Sequence, residues 1–167
     1  MTLTKTPICN FGEKAKDFNL LSTENKKVSL DDIRGENGTL VMFICNHCPY
    51  VKAVIKDIVQ DVKFLESIGV KSAAIMSNDV KNYPEDSYAN MISFTKLHNF
   101  SFPYLFDETQ SVAKAYKASC TPEFLFMILI LNWFTEVNMI HLDLRMKFPF
   151  LDMIWERLWI LSWKIKL

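Results

Sequence analysis

The sequence predicts an α/β domain, a mainly parallel sheet with helices on both faces, and three stretches carry that prediction. Leu40-Val41-Met42-Phe43-Ile44 is an unbroken apolar run, as an interior parallel strand has when both its faces are covered. After Pro49, apolar residues recur at Val51, Val54, Ile55, Ile58, Val62 and Leu65, a helical stripe that stops at Gly69. Val70 to Met76 then reads as a second strand. Strands alternating with helices in this order imply parallel neighbours joined by right-handed crossovers.

The remaining elements follow along the chain. Residues 11 to 37 read as an N-terminal extension, with short strands at Phe18-Asn19-Leu20 and Val28-Ser29-Leu30 on either side of a polar turn around Asn25. Asp31 to Gly35 reads as a helical turn or loop. Beyond the second core strand, Asn78, Asp79, Asn82 and Pro84 make a long polar loop. Ser87 to His98 is a helix with Met91, Phe94 and Leu97 or His98 on its inner side, and Met91, Phe94 and Leu97 are expected in the core. Pro103 to Asp107 is a short connector or strand, with Asp107 and Glu108 in a solvated turn. Gln110 to Tyr116 is a further helix, Ser119 to Pro122 a loop, and Phe124 starts the next strand.

Bulk composition narrows the function classes. The 167 residues suffice for one domain with a substantial core. Nineteen basic side chains balance nineteen acidic ones, so nothing points to nucleic acid or an anionic membrane surface. No run reaches the ~18 apolar residues of a spanning helix, and Met1 to Asn10 lacks the apolar core of a signal peptide, so the expected location is cytoplasmic. Four cysteines in a reducing compartment argue for catalytic or metal-binding thiols over a disulfide scaffold.

Cys45-Asn46-His47-Cys48 sits where the first core strand gives way to the helix. A helix N-terminus carries partial positive charge and free N–H groups, and both favour a thiolate. Two thiols spaced this way can exchange a disulfide reversibly. Cys45 is expected to be the exposed attacking thiolate and Cys48, one turn in, the resolving thiol. An imidazolium at His47, between them, would stabilise the thiolate and make the disulfide more oxidising. A structural zinc site is the plainer reading of a C-x-x-C pair, but no second C-x-x-C and no H-x-x-x-H accompanies it, so no metal is expected. Cys9 reads as a free thiol. Cys120 reads as a third redox cysteine or a packed small hydrophobe. His98 and His141 are expected on the surface.

These residues resemble a known group. Gly12 to Leu20 is similar to the G-x-x-A-P-D-F-x-L opening of peroxiredoxin and thiol-reductase domains, with Lys16 where proline is usual. Cys45 to Cys48 falls at the thioredoxin C-x-x-C position, and Cys120-Thr121-Pro122 resembles the loop whose cis-proline faces that motif. Phe43 to Lys52, Phe102-Pro103-Tyr104-Leu105 and Ala115-Tyr116 resemble peroxiredoxin-like thioredoxin-family proteins, the AhpC/TSA or redoxin type. The resemblance implies a thioredoxin-like fold, three layers α/β/α, with a peroxiredoxin-type N-terminal extension. It implies a thiol–disulfide oxidoreductase cycling Cys45 and Cys48, with Thr121 and Pro122 binding substrate. The redox-active disulfide would replace any cofactor, and the partners would be a disulfide-bearing protein or a small thiol or peroxide, plus an external dithiol reductant. The alternative is an antioxidant thiol peroxidase using Cys48. Against it, the P-x-x-x-T-x-x-C pattern places Val41 at the proline and Cys45 at the threonine, so the peroxide-activating groups on that side are missing. A metal- or partner-binding module on the same scaffold is the non-enzymatic reading.

The resemblance covers residues 11 to about 125. All four tryptophans (Trp133, Trp155, Trp159, Trp163) lie beyond it, and no glycine follows Gly69. Reading the last base of each codon with the first two of the next forces Asp at Met127-Ile128, Met139-Ile140 and Met153-Ile154, and Gly at Trp155-Glu156. With permitted codons the shifted frame accommodates L-V-Y-R-G followed by D-S-S-R-P, similar to the family's closing hairpin. The expectation is a redoxin domain over residues 1–125 and an aberrant, frameshifted tail over 126–167, with the final hairpin and helix disrupted.

Overall fold

The computed structural model describes residues 15–130 and 133–139. Seven strands form one sheet: β1 (Asn19–Ser22), β2 (Lys27–Ser29), β3 (Gly38–Phe43), β4 (Val70–Met76), β5 (Tyr104–Phe106), β6 (Glu123–Ile130) and β7 (Trp133–Met139). Their spatial order is β2-β1-β5-β4-β3-β6-β7. β3, β4 and β5 run parallel, with Val41 opposite Ala73 and Ile75 opposite Leu105. The strands outside this trio pair antiparallel with their neighbours.

Strand alternation divides the core in two. Leu40, Met42 and Ile44, with Ala74, Met76, Phe124 and Phe126, face α1 (Pro49–Ser67) and α2 (Tyr88–His98). Val41, Phe43, Ala73, Ile75, Leu125 and Met127 face the other way, against Ala15, Phe18, Leu30, Ile33 and the short α3 (Ser111–Ala115). This is the expected three-layer arrangement, and the apolar run at Leu40–Ile44 has its cause in it, since both faces of β3 are covered. The N-terminal extension is part of the second layer, pinned where the Tyr116 hydroxyl donates to the Lys16 carbonyl at 2.6 Å.

α1 ends as its sequence requires. The Ile68 and Gly69 N–H groups bond back into the last turn, and Gly69 takes φ +79°, a left-handed conformation that favours glycine. On α2, Phe94 packs against the His98 ring at 4.4 Å, whereas Leu97 is 73% exposed. The expected core position of Leu97 is therefore wrong. Residues 91, 94 and 98 make the inner stripe, and residue 97 falls off it. Asp107 also departs from expectation: it is fully buried, and its Oδ2 accepts the Val112 and Ala113 N–H groups at the start of α3 and the Ser77 hydroxyl.

The expected loss of the closing hairpin is not seen. β7 pairs with β6 from Ile130 opposite Trp133 to Phe124 opposite Met139. β6 leaves one ladder edge free beyond β3, and backbone N–H and C=O groups pair there whatever the side chains are. Trp133, Phe134, Thr135 and Val137 are residue types that favour strands. The final helix, expected to be disrupted, lies outside the described residues, as do Cys9 and His141. Among the described residues no helix is long and apolar enough to cross a membrane.

Candidate active site

The site lies at the carboxyl ends of β3 and β4, where open α/β sheets bind ligands. Residues 44–48 leave β3 and enter α1. Pro49 takes the first helical position, which suits a residue with fixed φ and no N–H, and so makes Cys48 the N-cap. The helix terminus therefore falls at Cys48 and not at Cys45. Cys45 lies ahead of the helix and is 1% exposed, not the exposed thiol expected, and Cys48 is buried as well, at 7%. Cys48 stands at the helix terminus as its N-cap residue. It lines an open cavity of about 550 Å³, shared with His47, Tyr50, Tyr83, Lys114 and Cys120.

The loop before β6 brings Thr121 onto both thiols. The Cys45 Sγ lies 3.2 Å from the Thr121 Oγ1, and the Cys48 thiol donates to the Thr121 carbonyl at 3.3 Å. The Thr121-Pro122 peptide bond is cis, as the resemblance implies. Glu123, 5% exposed, secures this loop, its Oε2 accepting the Ser119 N–H at 2.8 Å and the Cys120 N–H at 3.4 Å. Thus Cys45, Cys48, Thr121 and Cys120, far apart in sequence, converge on one place.

Burial pushes the Cys45 thiol above the ordinary cysteine range; the Thr121 hydrogen bond opposes this, and the nearby Asp86 carboxylate adds to it. An acidic Cys45 was expected, and burial is the reason the structure gives the opposite direction. Cys120 is likewise raised, by burial and then by Glu123. Tyr104, buried beneath the loop, is raised well above the phenol range by burial, Cys45 and Asp86. Its hydroxyl donates to the Asn46 Oδ1 at 3.0 Å, which ties the floor of the site to the two-cysteine loop.

Asp86 was missed by sequence reasoning. It ends a 3₁₀ turn (Pro84–Asp86) in the loop after β4, and it is fully buried. Its Oδ1 accepts the Asn46 and His47 backbone N–H groups at 2.7 and 3.1 Å. Its Oδ2 accepts the Asn78 side-chain amide at 2.8 Å and lies 2.6 Å from the His47 Nδ1. No motif spacing marks an aspartate 38 residues beyond Cys48. Only the topology, which sets the loop after β4 beside the loop after β3, could have drawn attention to it.

Cys45, His47 and Asp86 each place one potential ligand atom within 4.8 Å of the others. The Asp86 oxygens are already engaged by four donors, however, so an ion could bind there only by breaking the contacts that shape the loop. The donor set fits a hydrogen-bonded loop anchor better than a metal centre.

Comparison with known proteins agrees with this geometry. The profile of the AhpC/TSA family matches residues 11–138. The chain belongs to the AhpC/TSA family. Among solved structures it is similar to an uncharacterized conserved protein from Geobacillus kaustophilus, at 39% identity and a TM-score of 0.77, covering 82% of this chain and 71% of that one. It is also similar to a hypothetical protein from Sinorhizobium meliloti 1021, at 31% identity and a TM-score of 0.75, covering 81% and 72%. A secreted Mycobacterium tuberculosis disulfide oxidoreductase, homologous to E. coli DsbE, shares 18% identity over 72% of this chain and 82% of that one, with a TM-score of 0.59. That likeness shows the thioredoxin fold. Comparison with curated proteins gives no match. The AhpC/TSA match extends past residue 125 into β7, in keeping with the hairpin seen there.

Proposed function

We propose that this AhpC/TSA-family chain is a thiol–disulfide oxidoreductase that cycles Cys45 and Cys48 between dithiol and disulfide. The observation that carries the reading is the placement of both sulfurs against one residue, Thr121, with one thiol in the cavity and the other behind it. Cys48 attacks a substrate disulfide from the cavity, and Cys45 breaks the resulting mixed disulfide. This assigns the two thiols in the order opposite to the sequence expectation, because Cys48 holds the helix terminus. Cys45, which does not line the cavity, attacks only once the mixed disulfide has formed at Cys48 beside it.

Thr121 and Pro122 border the place where an extended substrate segment would lie. The Thr121 carbonyl, now taking the Cys48 thiol proton, is freed for a substrate N–H once Cys48 is in a disulfide. Tyr50 and Tyr83, 41% and 49% exposed, offer aromatic surface at the cavity rim to a polypeptide or small disulfide. An external dithiol then restores the reduced pair.

The test is disulfide reduction with a protein substrate and a dithiol regenerant. Cys45→Ser should accumulate a mixed disulfide through Cys48, found by mass spectrometry, and Cys48→Ser should form none. Trapping through Cys45 in the Cys48→Ser variant would reverse the assignment, and full turnover by either variant would refute the mechanism.

One observation favours the peroxidase as a second reading. Cys48 holds a helix N-terminus at an open cavity, the setting of a peroxide-reactive thiolate. Rapid sulfenic acid formation at Cys48 with hydrogen peroxide, persisting in Cys45→Ser, would support it.

A further inference from the structure

The cavity that holds Cys48 restricts what can reach this thiol. Cys48 is 7% exposed, so a partner must enter the cavity to touch its sulfur, and a folded protein resting on the rim does not. The volume, about 550 Å³, falls in the range of small-molecule sites. Its polar wall is fixed from behind. The Ser77 hydroxyl donates to the Asp107 Oδ2 at 3.0 Å, the Gln110 amide to the Ser77 carbonyl at 2.9 Å, and the Asn78 amide to the Asp86 Oδ2 at 2.8 Å. Tyr83 adds a ring stacked on that of His47, with centroids 4.9 Å apart and planes within 2°. Phe43, Ile75 and Ala113 supply apolar surface suited to methylenes and sulfur.

Charge singles out one lining residue. No Asp or Glu is among the described residues that line the cavity, and Lys114 alone of them carries a permanent charge. Among the described residues no carboxylate pairs with its ammonium. The buried carboxylates behind the walls, Asp86, Asp107 and Glu123, are each turned toward backbone N–H donors. Lys114 is rooted on the wall by α3, where its backbone N–H bonds to the Gln110 carbonyl at 3.1 Å. Its side chain is exposed, and a long stem lets the ammonium follow an anion that enters from solvent.

Deepening the dithiol reading, on which it rests, we propose that the substrate is a low-molecular-weight disulfide carrying a carboxylate, and that Lys114 is the residue that selects it. The Cys48 sulfur attacks one substrate sulfur, the substrate S–S bond breaks, and the other sulfur leaves with the electron pair and the proton that Cys48 gives up. Cys45 then attacks the Cys48 sulfur of the mixed disulfide, and its proton goes with the remaining substrate sulfur. Two electrons and two protons pass from the protein dithiol to the substrate, and the external dithiol returns them. Lys114 takes no part in these bonds. It attracts the carboxylate and so raises the rate of productive encounter.

The experiment compares alkylation of Cys48 by iodoacetate and by iodoacetamide in the full chain at one fixed pH, read by mass spectrometry of the Cys48 peptide. Both reagents consume the same thiolate, so their rate ratio reports the preference for an anion and not the degree of ionisation. Divided by the same ratio for a small model thiol, it should favour iodoacetate roughly two- to fivefold at low salt, the range of an exposed ion pair. The preference should fade at high salt, vanish in Lys114→Gln, invert in Lys114→Glu and survive in Lys114→Arg. A parent ratio equal to that of the model thiol, or one unchanged in Lys114→Gln, would overturn the proposal. If Lys114→Glu does not fold, as judged by circular dichroism, Lys114→Gln decides.

Turnover supplies the second readout. The kcat/KM for dithiodiglycolate, an anionic disulfide, should fall roughly two- to fivefold in Lys114→Gln, while that for the neutral hydroxyethyl disulfide stays at the parent value. Reduction of a protein disulfide with neither small disulfide accepted would overturn the proposal. Alkylation needs no disulfide substrate, so the two claims fail separately. Inactivity toward every disulfide with a Lys114-dependent reagent preference defeats the oxidoreductase reading. Turnover of both small disulfides with a Lys114-independent preference defeats the selection by Lys114 alone.

Discussion

Replacing Thr121 with valine removes one hydroxyl from the centre of the site and leaves its shape nearly intact. The Thr121 Oγ1 lies 3.2 Å from the Cys45 Sγ, and it opposes the burial that raises this thiol. The backbone N–H of Cys48 gives the sulfur further support. A hydrogen bond to an ionised group contributes about 1.5–3 kcal/mol and one between neutral groups about 0.5–1.5 kcal/mol. Their difference, about 1–2 kcal/mol, is the amount by which Thr121 favours the Cys45 thiolate over the thiol, a factor of roughly 5–30 in their ratio. The Thr121→Val variant should therefore need a more alkaline solution to ionise Cys45. Thr121→Ser, which keeps the hydroxyl, should stay near the parent curve. The assay is thiolate absorbance against pH in a Cys48→Ser background, with the Cys45→Ser/Cys48→Ser protein subtracted to remove the other thiols and tyrosines. An unchanged Cys45 titration in Thr121→Val would refute the hydrogen bond as a determinant of this thiol.

Cys45, Cys120 and Tyr104 all have folded-state values raised by burial, so the reduced fold holds protons that the unfolded chain releases. Their contribution is fully present below the unfolded-state thiol range and is lost as pH rises through the folded-state values. Urea midpoints of the reduced protein should accordingly fall on the alkaline side, above about pH 8.5, and fall less in Cys45→Ala. Equal slopes in the two proteins would contradict this. Gly35→Ala should be strongly destabilising, by about 3 kcal/mol in urea unfolding, because its methyl would meet three backbone atoms, the Gly38 carbonyl at 2.2 Å, the Lys71 N at 2.5 Å and the Gly69 carbonyl at 2.7 Å. A loss below about 1 kcal/mol would show that the backbone yields there. For the C-terminal segment, sequencing the source DNA should reveal one base gained or lost near codons 125 to 127, and correcting it should sharpen the thermal transition. Confirmation of the present frame, with an unaltered transition, would make the tryptophan-rich ending genuine.

Where side chains face inward in a regular pattern, the fold could be read directly. Val70–Met76 is a strand with the predicted limits, and the stripe from Val51 to Leu65 is the buried face of α1. Both are set by periodicity and by Gly69. The convergence of the C-x-x-C loop with Thr121 and Pro122 was legible through resemblance, since no local pattern joins residues so far apart. Three features were not legible. Whether Cys45 or Cys48 meets the cavity depends on where α1 begins, and Pro49 moves that point to Cys48. Asp86 and Asp107 look like solvated loop acids, yet each is buried because the topology supplies several N–H donors to it. The β6–β7 pair lacks the turn residues of the family's hairpin, but its ladder depends on backbone groups that side-chain patterns do not report.

The central claim is that Cys45 and Cys48 form one reversible redox pair. A redox titration in a glutathione or dithiothreitol buffer series, with alkylation of free thiols and mass-spectrometric mapping of the linked peptides, tests it most directly. The account predicts a single two-electron transition in which a Cys45–Cys48 linkage appears while Cys120 remains alkylatable throughout. A Cys48–Cys120 linkage as the main oxidised species, or a chain that stays fully alkylatable across the whole series, would contradict it.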